Sequence, residues 1–259
     1  YWLGIETQAY SPYSSTHPPS TARGETSFFY SESVHPMTLA IFDLDNTLYP
    51  PEKNLFAHVD VRMTAFIEEK LGLTHDEAFF IQKKYWKEYG TTLSGLMQFH
   101  GLEPDEFLDF VHDIDVSPLS PDPELSSALE NLPGKKYIFT NGTQKHAERV
   151  RDRLGGLHHF DDIFDIRAAD YVPKPDKNVY HKLIANYGIN PDETIFFEDM
   201  ARNLLPAHEL GMTTVWLKPK LSDDAPQHAK IGHEGADGEH IHYEIDNLVD
   251  FLSLMNGKW

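Results

Sequence analysis

The sequence predicts a doubly wound, Rossmann-like α/β domain: a parallel sheet core that carries an inserted helical cap subdomain. Two observations carry this expectation. Short continuous apolar runs, the pattern of strands buried on both faces, alternate with amphipathic stretches that open and close on helix caps. One interval, residues 52–117, breaks the alternation and reads as helix after helix.

Residues 1–36 are rich in Ser, Thr, Pro and Gly, show neither helical nor strand period, and read as a flexible tail. The core is expected over 37–51 and 118–259. It opens with the strand run Leu39, Ala40, Ile41 and Phe42, which ends in the polar cluster Asp43 to Thr47. In the helical interval, Leu55, Val59, Met63, Phe66 and Ile67 share one helix face, and Thr74 with Glu77 forms a capping box for a helix through Ala78, Ile81 and Tyr85. Shorter helical stretches occupy 92–99 and 104–112, and a Pro-rich linker from Val116 to Pro123 leads back to the sheet. Tyr137–Phe139, Ile163–Ile166, Ile195–Phe197 and Thr213–Leu217 read as further strands. Thr143 caps a helix carrying Ala147, Val150 and Leu154 with Gly155 behind it, and Pro175 precedes one carrying Val179, Leu183 and Tyr187 with Gly188 behind it. Ser222 to Glu239 reads as a polar surface loop before a last helix ending near Met255.

The 259 residues include 41 Asp plus Glu, 22 Lys plus Arg and no cysteine, for a formal charge of −19. Without cysteine there is no disulfide scaffold, no cysteine-bound zinc or iron–sulfur site and no thiolate nucleophile. The negative charge disfavours nonspecific binding to nucleic acid polymers and anionic membranes, which bind through Lys and Arg. No apolar run approaches the ~18 residues of a membrane-spanning helix, and no basic-plus-apolar leader precedes the first strand. A cytoplasmic protein with neither membrane nor nucleic-acid partner is therefore expected, with its oligomeric state open.

Asp43 and Asp45 leave the first strand at its carboxyl end, where open α/β sheets place their ligands. Positions i and i+2 of an extended chain face one side, so both carboxylates can converge on a reacting centre, and their repulsion favours a divalent cation or a shared proton. On this fragment alone, an Asx-type turn is the rival reading.

The wider pattern weighs against that rival. Asp43-Leu44-Asp45-Asn46-Thr47, then Thr140-Asn141-Gly142, then Lys174-Pro175, then Glu198-Asp199 with Asn203 resemble, in order, the four motifs of the haloacid dehalogenase-like superfamily, over residues 38 to about 255. The resemblance implies a Mg²⁺-dependent phosphomonoester hydrolase. Asp43 would be the nucleophile that becomes an aspartyl-phosphate, Asp45 the general acid and base, and Lys174 the cation holding nucleophile and phosphate together. The metal ligands would be the carboxylates of Asp43 and Asp199 with the backbone carbonyl of Asp45. The Thr140 hydroxyl and the Asn141 and Gly142 amides would bind phosphate. One version of the family carries a second acid at the place of Asn203, so the amide here would orient Asp199 or a water.

Three longer stretches, Phe42 to Pro50, Phe139 to Thr143 with His146-Ala147, and Phe196 to Leu204, resemble the pyrimidine 5′-nucleotidase branch. They imply a small-molecule substrate of the UMP or CMP kind. In the insert, Tyr89, Thr91 and Thr92 fall between helices, where a loop would dip toward phosphate, and Arg62 would meet an anionic or carbonyl group; surface and turn readings stand equally beside these four. A sugar-phosphate or phosphoglycolate-type phosphatase or mutase would keep every core residue. A haloacid dehalogenase needs no leaving-group acid, which Asp45 argues against, and a silent phosphate-binding protein would not need both aspartates. His228, His233, His240 and His242 read as a solvated loop with a short edge strand in preference to a metal site, and His158-His159 as helix-end punctuation.

Overall fold

The computed structural model describes residues 37–156, 158–220 and 227–255, so the N-terminal stretch read as a tail lies outside it. The strands β1 (Leu39–Phe42), β2 (Lys135–Phe139), β3 (Asp162–Phe164), β4 (Thr194–Glu198), β5 (Thr213–Leu217) and β6 (Tyr243–Ile245) form one sheet in the order β3-β2-β1-β4-β5-β6. Every pairing is parallel. β1 is central, and the order reverses beside it, where β4 pairs with its other edge. That reversal opens a crevice at the carboxyl ends of β1 and β4.

The continuous apolar runs follow from burial on both faces. Ala40 and Phe42 face one layer with Ile138, Ile195, Phe197 and Val215, while Leu39 and Ile41 face the other with Tyr137, Phe139, Phe196 and Trp216. The first layer is covered by α5 (Pro123–Asn131), α6 (Gln144–Arg153) and α10 (Leu248–Met255), the second by α7 (Lys177–Tyr187) and α8 (Ala201–Glu209). Phe42 lies flat on Phe197 across the strand pair, their ring centres 4.7 Å apart.

Between β1 and α5 the chain is helical: α1 (Leu55–Leu71), α2 (His75–Tyr89), α3 (Thr92–His100) and α4 (Pro104–Val111). The Thr74–Glu77 capping box closes in both directions, and Gly72, in the left-handed region at φ 65°, ends α1. α2 and α3 meet most closely at Gly95, where an added Cβ would lie 2.2 Å from the Tyr85 ring.

Three elements differ from the sequence reading. The Pro-rich linker hides α5, because Pro123 occupies a first-turn position that needs no N–H while Asp122 caps Leu125. The polar stretch after Ser222 contains the short helix α9 (Gln227–Gly232). β3 stops at Phe164, two residues early, because the Ile166 amide turns away to the Gly142 carbonyl. Among the described residues, no helix is long and apolar enough to cross a membrane.

Helix propensity and packing oppose each other at Gly95. Ala gains about 1 kcal/mol over Gly in a helix interior, but overpacking costs about 1–3 kcal/mol, and a rigid ring sits inside contact distance. Gly95→Ala is expected to lower the thermal midpoint; a rise would show that α2 and α3 are free to separate.

Candidate active site

The crevice at the sheet's carboxyl end deepens under the insert into a cavity of about 380 Å³. Its floor is polar. Asp43 extends the β1–β4 ladder by one bond, its N–H donating to the Phe197 carbonyl at 2.9 Å, and this fixes its carboxylate at the strand end. The chain then turns sharply: Asn46 takes φ 65°, a conformation Asn tolerates better than most residues, and the Leu48 amide returns to the Leu44 carbonyl. The turn brings Tyr49 back to Asp45, whose Oδ1 accepts the Tyr49 hydroxyl at 2.5 Å.

Lys174 is 2% exposed and ties three strand ends together. Its Nζ donates to Asp43 Oδ1 at 2.7 Å, to Glu198 Oε2 at 2.6 Å and to the Phe139 carbonyl at 2.9 Å. Asn141 holds the lysine's backbone from both sides, its Oδ1 accepting the Lys174 N–H and its Nδ2 donating to the Lys174 carbonyl. Asp199 completes the group. One oxygen each from Asp43, Glu198 and Asp199 lies within 4.8 Å of the others, and all three residues are buried.

One lysine cannot neutralise three acids. Burial, with the negative field of Glu198, raises Asp43 to about 7 despite Lys174. Burial and the repulsion of Glu198 and Asp43 raise Asp199 well above the carboxylate range. Lys174, facing two carboxylates, remains protonated although burial opposes its charge. At Asp45 burial also raises the pKa, but His146, Tyr49 and His112 together bring it down to about 2.

A cation fits this set. The donors are hard oxygens, the acids carry uncompensated charge, and Asn203 Oδ1, which lines the same cavity, is buried without a protein partner among the described residues. These are the preferences of Mg²⁺, which takes oxygen ligands and keeps several waters.

The expected site residues divide into two groups. Asp43, Asp45, Thr140, Asn141, Gly142, Lys174, Glu198 and Asp199 all line the cavity, as do Thr91 and Thr92. The Gly142 amide, read as a phosphate donor, is engaged with the Thr140 hydroxyl oxygen at 2.9 Å, which leaves the hydroxyl proton to donate. Thr91 caps α3 through the Ser94 amide, and Thr92 donates to the Gln82 carbonyl. Arg62 and Tyr89 do not line this cavity. The Arg62 guanidinium lies 4.3 Å over the Phe110 ring and its Nε donates to the Phe110 carbonyl, while Tyr89 packs on Tyr85 and Phe99. His240 is 7% exposed and hydrogen-bonds the Ala201 carbonyl, so its ring is packed where a solvated loop was expected, while exposed His242 contacts Thr214 and half-buried His233 the Pro219 carbonyl. The His228 side chain lies outside the description.

Sequence reasoning left other residues without a role: Tyr49, His112 and His146 around Asp45, and Phe56, Phe79 and Trp86 on the insert side of the cavity. Tyr49 and His146 carried a signal, standing four residues after Asp45 and three after the Thr143 cap.

The family model for haloacid dehalogenase-like hydrolases matches residues 37–211. The chain belongs to the haloacid dehalogenase-like hydrolases. That match takes in all four acid, hydroxyl and lysine motifs gathered at the cavity. The chain is similar to Phosphate metabolism protein 8 of Saccharomyces cerevisiae, at 29% identity over 189 residues, 66% of this chain and 58% of that protein. It therefore spans little more than half the length of this relative. It is also similar to Glyceraldehyde 3-phosphate phosphatase of Methanopyrus kandleri, at 26% identity covering 72% of this chain and 89% of the relative. Among solved structures, a HAD phosphatase from Thermococcus onnurineus shares the fold at TM-score 0.54 and 19% identity, covering 85% of this chain and 99% of that one.

The raised Asp43 has a consequence for stability. Between the ordinary value of 3.8 and about 7 the folded, metal-free protein holds a proton there that the unfolded chain has lost, so stability from this group falls as pH rises through about 7. Asp43→Asn carries no charge at any pH. In EDTA, the thermal midpoint of the wild type is expected to drop relative to Asp43→Asn between pH 4 and pH 8, and Mg²⁺ to restore it at pH 8; parallel pH curves would refute the uncompensated charge.

Proposed function

We propose that the protein is a Mg²⁺-dependent phosphomonoester hydrolase that works through an aspartyl-phosphate on Asp43, with a pyrimidine nucleoside 5′-monophosphate as substrate. One observation carries the reaction class. A second carboxylate, Asp45, stands beside the Lys174-bound Asp43 at the same cavity, and halide displacement would not use it.

The Asp43 oxygen not engaged by Lys174 attacks phosphorus, and the P–O bond to the leaving group breaks. Asp45 gives the departing oxygen a proton, then takes one from the water that attacks the aspartyl-phosphate, and inorganic phosphate leaves with Asp43 regenerated. Lys174 fixes the nucleophile's direction and offsets its charge, while the Thr140 hydroxyl donates to a phosphoryl oxygen. When bound by Asp43, Asp199 and the Asp45 carbonyl, Mg²⁺ supplies neutralisation of charge developing on the phosphoryl oxygens. The helices α1–α4 act as a cap that closes over the ester and excludes water.

The leaving group is read from the cap side. Phe56, Phe79 and Trp86 line the cavity there with Met63 and Leu93, a surface suited to a planar ring more than to a small polyol. This supports the branch resemblance in the Phe42–Pro50 and Phe196–Leu204 stretches. A sugar phosphate is the second reading, favoured by the name of the Methanopyrus kandleri relative.

Phosphate release from UMP, CMP, glyceraldehyde 3-phosphate and phosphoglycolate separates these readings. With Mg²⁺ the wild type is expected to prefer UMP or CMP, EDTA to abolish turnover, and Asp43→Asn to lose about 10³-fold or more. A wild type inactive on every ester, or indifferent to EDTA, would overturn the reaction class. Preference for glyceraldehyde 3-phosphate would move the assignment to the second reading.

Trp86 tests the cap independently. Trp86→Ala is expected to raise KM for UMP about tenfold, the effect of about 1.4 kcal/mol of lost stacking, with a smaller change for phosphoglycolate; equal changes for both would remove the ring-stacking role.

A further inference from the structure

Asp45 is held by two donors on one oxygen. Oδ1 accepts from the Tyr49 hydroxyl at 2.5 Å and pairs with His146 Nε2 at 2.9 Å, and no protein hydrogen bond to Oδ2 is found among the described residues. We propose that Tyr49 and His146 are positioning residues that turn the Asp45 carboxyl so that Oδ2 meets the oxygen leaving the phosphorus. This rests on the phosphomonoester reading above.

The clamp is built from three separate parts of the chain. Tyr49 is 2% exposed and closes the turn after β1, so its hydroxyl reaches Asp45 at a spacing of four residues. His146 is 1% exposed and sits in the first turn of α6, its backbone N–H bound to the Thr143 hydroxyl. Its ring cannot swing away, because the His112 ring at the end of α4 packs on it with centres 4.9 Å apart. His112 is anchored in turn by its Nδ1 at 3.0 Å from the Leu108 carbonyl, which fixes the proton on that nitrogen. A carboxylate otherwise free to rotate about its Cβ–Cγ bond is thus held at the cavity wall with one oxygen occupied and the other without a protein hydrogen bond among the described residues.

A merely structural pair would affect all substrates alike. A positioning pair matters most where the leaving oxygen needs its proton. An alkoxide is a poor leaving group and depends on the acid, whereas p-nitrophenolate departs without one. The kcat/KM value reports the steps up to loss of the leaving group, so its dependence on leaving-group pKa isolates the proton delivery.

The experiment measures kcat/KM with Mg²⁺ for the wild type, Tyr49→Phe, His146→Ala and His146→Gln. The substrates run from p-nitrophenyl phosphate through phenyl phosphate to an alkyl phosphate. Tyr49→Phe and His146→Ala are expected to fall about 10- to 100-fold on the alkyl ester, part of the 10²–10⁴ that general acid catalysis supplies, and no more than about threefold on the nitrophenyl ester. His146→Gln, whose amide can replace the Nε2 donor, is expected to recover most of the alkyl-ester rate. An equal fall on all esters, with an unchanged slope against leaving-group pKa, would overturn the positioning role while leaving the hydrolase reading intact. A wild type that cleaves none of them would overturn both. If His146→Ala fails to fold, Tyr49→Phe, which loses a single oxygen, and His146→Gln decide the question.

Discussion

Everything at the catalytic end of this molecule depends on placing one buried lysine among three buried acids. Lys174 Nζ reaches Asp43 after β1, Glu198 at the end of β4 and the Phe139 carbonyl at the end of β2, so a single ammonium fastens the three central strands at their carboxyl edge. Removing a charged group from water is expensive unless it is paired, and breaking such a pair leaves an uncompensated charge. The lysine therefore needs at least one of those acids, and the third acid, Asp199, is left over. The excess negative charge is what fits the site to a divalent cation, and under the proposed function that cation would reconcile a chain of formal charge −19 with an anionic substrate. Local charge at the strand ends, from Lys174 and a bound cation, would then decide binding ahead of the chain's total.

That arrangement constrains the insert as well. A buried ion group gains from a dry surrounding, because Coulomb attraction weakens in water. The helices α1–α4 supply apolar walls at the cavity, and their end point, His112, packs on the ring that pairs with Asp45. The insert thus touches the Asp45 carboxylate through one intermediate, His146, and lines the cavity with Trp86 and Phe79.

The legibility of the chain followed the range of the forces involved. Buried strands were readable because both faces are covered, which makes their apolar runs continuous, and β5 was placed to the residue at Thr213–Leu217. The capping box at Thr74 and the left-handed Gly188 after α7 were readable because they are local. The convergence of the core motifs on one cavity was readable because each motif lies at a strand end or helix start, and the parallel topology brings those ends together. Of the insert residues, Thr91 and Thr92 reach the cavity but Arg62 and Tyr89 do not, because a helical side chain's outlook depends on its neighbours: these two turn to Phe110, Tyr85 and Phe99. Tyr49 and His146 failed for a related reason. Their partner, Asp45, is four residues away for one and 101 for the other, and only the fold brings both donors to the same oxygen.

The two aspartates of the first motif stand two residues apart, and their environments push them in opposite directions. Asp43 is drawn up to about 7 by burial and by Glu198, Asp45 down to about 2 by His146 and Tyr49 against the same burial. Titratable pairs separated in this way mark a division of roles. Asp43 is costly to ionise in the metal-free site, so under the proposed mechanism a cation held there would lower that cost and make the carboxylate available as a nucleophile at neutral pH. In the proposed reaction, the low value of Asp45 would suit it to take a proton from water. To give one, it must first be made more basic, and a phosphate ester carrying negative charge to its side does that by repulsion. Under the proposed mechanism the acid would thus be formed by the substrate it serves, and the proton it loses to the leaving oxygen would be regained from water in the second half of the reaction. A carboxylate alternating in this way has to keep one orientation through both halves, and the shared hold of Tyr49 and His146 on a single oxygen provides it.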